Sequence, residues 1–161
     1  MALPKERRAK TLTFTADQMN TLFSSPLFSG APSETEWHKI ARPGNVLIRD
    51  HRFWVPFIMM FSGARPGEIG QLAVSDVRQQ HGQWIMHITT EGETHDEGKS
   101  VKTAGSMRVI PIHPELVQLG LLKHHAERVE AGDKPLFPGA KRNERGQTEL
   151  LPIAWTVFGV S

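Results

Sequence analysis

Phe53-Trp54-Val55-Pro56-Phe57-Ile58-Met59-Met60-Phe61, running straight into Ser62-Gly63-Ala64-Arg65-Pro66-Gly67-Glu68-Ile69-Gly70-Gln71-Leu72, is the stretch from which the rest of the chain can be read. The first part is apolar on every side of a helix, which suits a central helix buried by its neighbours, with Pro56 admissible near the first turn or at a kink. It is roughly half the ~20 residues needed to cross a bilayer, so it reads as core and no membrane partner is expected. Gly63 can end that helix. Pro66 suits the first position of a second one carrying Glu68, Ile69 and Leu72, which leaves Arg65 at the junction.

Upstream, Thr15 and Gln18 have the capping-box spacing, and Met19, Leu22 and Phe23 follow at helical intervals, so a short amphipathic helix is expected there. Residues 24–45 are punctuated by Ser24-Ser25-Pro26, Ser29-Gly30-Ala31-Pro32 and Arg42-Pro43-Gly44. They read as an extended surface loop with a short turn around Trp37–Ile40. Residues 1–10 carry Lys5, Arg7, Arg8 and Lys10 against Glu6 and read as a basic arm or linker, with residues 11–161 as the domain.

Downstream, Trp84, Met86 and Ile88 alternate with Ile85, His87 and Thr89, the period of a strand. A second strand is expected to end near Thr103 and a third to run over Arg108–Ile112, with Ala104-Gly105-Ser106 as the turn between them. His113-Pro114-Glu115 then opens a helix with Leu116, Leu119, Leu122, Ala126 and Val129 near one face, stopped by Gly132-Asp133-Lys134-Pro135. The fold class expected is α+β, mainly helical, with a small three-stranded antiparallel sheet.

The 161 residues include no cysteine and no tyrosine. Disulfides, thiol catalysis and Cys-ligated zinc are thereby excluded, and a tyrosine nucleophile is beyond this chain alone. The eight histidines contain no helical His-x-x-x-His pair, so no metal site is expected. The net charge of +2 does not by itself indicate a polyanionic partner. Its distribution is more informative: Glu91, Glu93, Asp96 and Glu97 are followed by Lys99, Lys102 and Arg108 with no acid among them. Such a switch marks a loop whose far side can face an anion. No apolar leader follows the N-terminal methionine, and a cytoplasmic protein is the expectation.

Two segments resemble motifs of the tyrosine recombinase (phage integrase) catalytic domain. Gly63-Ala64-Arg65 with Glu68 and Ile69 is similar to the Gly-x-Arg turn that follows a hydrophobic helix in that family. Lys102-Thr103-Ala104-Gly105-Ser106-Met107-Arg108-Val109-Ile110-Pro111 is similar to its Lys-Thr-x-x-Ser-x-Arg-x-x-Pro hairpin. Ile112-His113-Pro114-Glu115-Leu116 and Leu136-Phe137-Pro138 add a further echo, and the resemblance spans Thr11 to the end.

The resemblance implies an incomplete recombinase catalytic domain, part of an enzyme that cuts and rejoins double-stranded DNA through a phosphotyrosine link. It implies no cofactor, no small-molecule substrate, and self-association as a tetramer on DNA. Arg65 would stabilise the charge on the non-bridging phosphate oxygens, and Lys102 would protonate the leaving 5′ oxygen, with Lys99 as its rival. Glu68 would support the arginine turn. Lys99, Thr103, Ser106 and Arg108 would contact the DNA backbone. The later His-x-x-Arg box and the tyrosine are not found; His125-Ala126-Glu127-Arg128 has the letters but precedes Leu136-Phe137-Pro138 and reads as accidental. The chain would then stop before the second arginine box and be inactive in strand cleavage by itself. A different reading from the same residues is a non-catalytic DNA-binding or regulatory remnant of a prophage integrase.

Overall fold

A computed structural model describes residues 14–88 and 108–140. Among them are six α-helices and one three-stranded antiparallel sheet, so the class is α+β. No helix among the described residues is long and apolar enough to cross a membrane. The basic arm, the expected strand ending near Thr103 and its turn lie outside the described residues.

Helix α1 (Ala16–Phe23) begins as its sequence requires. The Thr15 backbone N–H donates to Gln18 Oε1 at 2.9 Å, and the Gln18 N–H donates to Thr15 Oγ1 at 3.3 Å, the reciprocal capping box. The next segment is more structured than an extended loop. It forms α2 (Pro26–Ser29), a 3-10 turn at Trp37–Lys39 and a bridge between Ala31 and Val46, around a satellite core of Leu27, Ala31, Ile40 and Ile48. The crossing is tight enough to demand glycine: a Cβ on Gly44 would stand 2.3 Å from the Ala31 carbonyl carbon.

Helix α3 (His51–Ser62) starts earlier than the apolar run, because Asp50 caps it by accepting the Arg52 N–H at 2.9 Å. Pro56 therefore falls inside the helix, where no N–H is left to bond to the Arg52 carbonyl. Nor is α3 wrapped on all sides. Phe53, Trp54, Val55 and Ile58 are buried, whereas Met60 is 44% exposed. The apolar run gives a helix with one deeply packed face.

The sheet has the order β1-β2-β3, with β1 at Val77–Gln80, β2 at Gln83–Ile88 and β3 at Arg108–Pro111. Val77, Met86 and Ile110 lie in register across it and face the core with Trp84 and Ile88. The alternation in β2 is thus the one its sequence indicates. The strand β1, however, was not expected; it pairs with β2 through the tight turn His81-Gly82, both at positive φ.

The expected helix after His113 is two helices, α5 (Pro114–Gln118) and α6 (Leu121–Glu130), separated by Gly120 at φ 97°. The restart changes the buried face. Leu121 and His124 are buried and His125 and Arg128 half-buried, an i, i+3, i+4, i+7 stripe, while Ala126 and Val129 are exposed. Beyond α6 the chain doubles back along residues 72–74: Leu136 N–H donates to the Leu72 carbonyl at 2.8 Å and Val74 N–H to the Lys134 carbonyl at 2.9 Å. Leu136 and Phe137 complete the main core.

Candidate functional site

The corner between α3 and α4 (Pro66–Gly70) is built by its own sequence. Gly63 adopts φ 65° and its N–H returns to the Met59 carbonyl, closing α3 with a residue that carries no penalty for the left-handed conformation. Ser62 Oγ accepts the Ala64 N–H at 3.1 Å, and Ala64 is buried. Arg65 is then extended, at φ −75° and ψ 149°, and Pro66 opens α4 with the φ that a first helical turn requires. Arg65 is exposed, at the start of α4.

Glu68 is the centre of the corner. Its side chain is only 5% exposed, and its Oε2 accepts the Arg65 backbone N–H at 2.7 Å. Both oxygens face Arg108, at the start of β3: Nη1 donates to Oε1 at 3.1 Å and Nη2 to Oε2 at 2.7 Å. This is the fork-on-carboxylate geometry that makes arginine–carboxylate contacts directional. Arg108 hydrogen bonding holds the Glu68 carboxyl below its ordinary range against the opposing effect of burial, with the Arg65 N–H and the two nearby guanidiniums acting in the same direction as Arg108. The same contact raises Arg108. Glu68 is therefore an ionised, capped and neutralised carboxylate.

The structure brings together Arg65, Glu68 and Arg108, which come from the two sequence motifs. Among the described residues no hydrogen bond or ion pair engages the Arg65 guanidinium, while two nitrogens of Arg108 are committed to Glu68. Lys99, Lys102, Thr103 and Ser106 lie outside the described residues. In the register of the sheet Arg108 stands opposite Ile88.

The His125-Ala126-Glu127-Arg128 letters have structural employment: His125 Nε2 meets the Val74 carbonyl at 3.0 Å, and Arg128 pairs with Asp133 at 3.2 Å. Neighbouring His124 is buried, stacked on Phe137, with Nε2 3.0 Å from the Leu136 carbonyl. Since carbonyls only accept, both histidines donate from Nε2: His124 holds the returning chain to α6, and His125 holds Val74, beside which that chain runs. His113 caps α5 through Nδ1 and stacks on Phe61 with ring centroids 4.5 Å apart. The helix-opening position of His113 was legible; its ring contact was not. No group of histidines and carboxylates suited to a metal ion occurs among the described residues.

No family model, no curated protein and no solved structure matches the chain.

Proposed function

We propose that this chain is part of the catalytic domain of a tyrosine-recombinase-type enzyme, binding double-stranded DNA with Arg65 against the phosphodiester to be broken. The observation that carries the reading is the ion pair between Glu68 and Arg108, which joins two motifs 40 residues apart and leaves Arg65 exposed beside them. A guanidinium suits this task because two parallel N–H donors match two non-bridging oxygens, whose charge grows as the phosphorus centre becomes crowded. In the proposed step the tyrosine hydroxyl loses its proton to solvent as its oxygen bonds to phosphorus, the P–O5′ bond breaks, and Lys102 supplies the proton taken up by the 5′ oxygen. The tyrosine comes from elsewhere, as this chain has none. Further copies of the chain on the same DNA are part of the proposal.

Fluorescence anisotropy of a short mixed-sequence duplex across a salt series tests it. Affinity is expected to fall linearly on a log–log plot with salt. Arg65→Ala is expected to weaken binding about tenfold, the loss of a charge-assisted contact, with no change in the urea unfolding midpoint. Absence of DNA binding, or an Arg65→Ala variant that binds like the parent chain, overturns the reading.

A further inference from the structure

Glu68 lies three residues from Arg65, accepts its backbone N–H at 2.7 Å, and is close enough for the two side-chain charges to act on one another. A carboxylate so placed is a natural partner for the Arg65 guanidinium. It is instead held by Arg108, through two hydrogen bonds of 3.1 and 2.7 Å from another element of the fold. We infer that Arg108 is a positioning residue, an internal counter-ion that occupies Glu68 and so keeps Arg65 available for a phosphodiester. The inference rests on the reading of Arg65 given above.

The physical basis is competition between two anions for one guanidinium. Carboxylate and phosphodiester both present paired oxygens to the arginine fork, and the tethered carboxylate has the advantage of proximity. A buried carboxylate without a cation is costly, so Glu68 must be neutralised from somewhere. Among the described residues two arginines act on it, and the bidentate contact assigns the task to Arg108. With Arg108 removed, Arg65 is, among the described residues, the remaining guanidinium that acts on Glu68; folding back onto it, Arg65 would be withdrawn from DNA. Arg108 thus acts on the phosphate through Glu68 and Arg65 rather than by touching it.

Replacing both members of the pair separates this role from direct DNA contact, and it leaves the net charge of the chain unchanged. In duplex-DNA anisotropy with the full chain, Arg108→Gln is expected to lower affinity about tenfold. Adding Glu68→Gln removes the competing carboxylate and is expected to bring affinity back to within about threefold of the parent, with the same salt slope. An Arg108→Gln variant that binds like the parent overturns the inference. So does a double variant that stays weak with a salt slope shallower by about one, since Arg108 would then touch a phosphate itself. Where Arg108→Gln alone fails to fold, the double variant against the parent decides the matter by the same two readouts. Arg65→Ala, which leaves the Glu68–Arg108 contact in place, reports separately on the reading of Arg65.

Discussion

The two arginine–carboxylate pairs at the ends of α3 are built in opposite senses. In the pair before the helix the cation is the buried member: the Arg52 side chain is 9% exposed and Asp50 39%. In the pair beyond it the carboxylate is buried, with Glu68 at 5% and Arg108 at 41%. The first is local, two residues apart, and its charge contact accompanies the N-cap of α3; Arg52 Nη2 also donates to the Glu34 carbonyl at 2.6 Å and so ties the preceding segment to the helix. The second spans 40 residues and ties the sheet to the corner that displays Arg65. A local pair finishes an element, whereas a long-range pair fixes where two elements meet.

The asymmetry determines which truncation is costly, because the penalty falls on the partner left behind. Asp50→Ala leaves a buried guanidinium short of its carboxylate and removes a helix cap, an expected loss of about 2–3 kcal/mol. Glu68→Ala leaves Arg108 free to turn to water and forfeits the acceptor of the Arg65 N–H, an expected loss of about 1–2 kcal/mol. Urea midpoints at unchanged m-value measure both. The reverse order would break the comparison, by showing that residual burial does not set the cost.

Acid sharpens it further. Burial lowers His124 and His51 from the ordinary 6.5, and among the described residues the buried His51 Nδ1 has no hydrogen-bond partner. A histidine depressed in the fold takes up a proton in the unfolded chain first, so stability falls as pH drops below 6.5. Glu68, held below its ordinary 4.5 chiefly by Arg108, contributes stability that is full above 4.5 and is lost as pH falls through its folded value. His124→Phe should flatten the upper limb of a stability–pH curve, and Glu68→Gln the lower one. If Glu68→Gln leaves the lower limb unchanged, its contact with Arg108 does not stabilise the fold in solution.

These contrasts also explain what the sequence could disclose. The α1 cap, the β2 alternation and the Gly63–Pro66 corner were legible because each depends on residues within one turn or one strand. β1 was not: Val77-Arg78-Gln79-Gln80 has a single apolar residue, and its strand conformation comes from pairing with β2. The break at Gly120 was hidden by leucines that continue a helical period across it, and the satellite core by the glycines and prolines around Leu27, Ile40 and Ile48. Arg65, Glu68 and Arg108 could each be singled out by motif. That Arg108 would spend its guanidinium on Glu68 could not, since no periodicity relates positions 40 apart.

The smallest effect is expected at a third arginine, where neither partner is deeply buried. Arg78 Nη2 lies 2.9 Å from His87 Nε2, across β1 and β2 on the sheet face opposite the core. Arginine only donates, so this nitrogen must be the acceptor and the imidazole proton must sit on Nδ1. Arg78 is exposed, and water can replace what either side chain loses. Arg78→Ala should therefore change the unfolding free energy read from urea denaturation by no more than about 0.5 kcal/mol, the middle of the range for exposed pairs. A cost approaching that of Glu68→Ala would mean that burial of the abandoned partner is not the variable that grades the three arginines. Their order would then have to be sought in the elements they join, β1 to β2 here as β3 to α4 at Arg108.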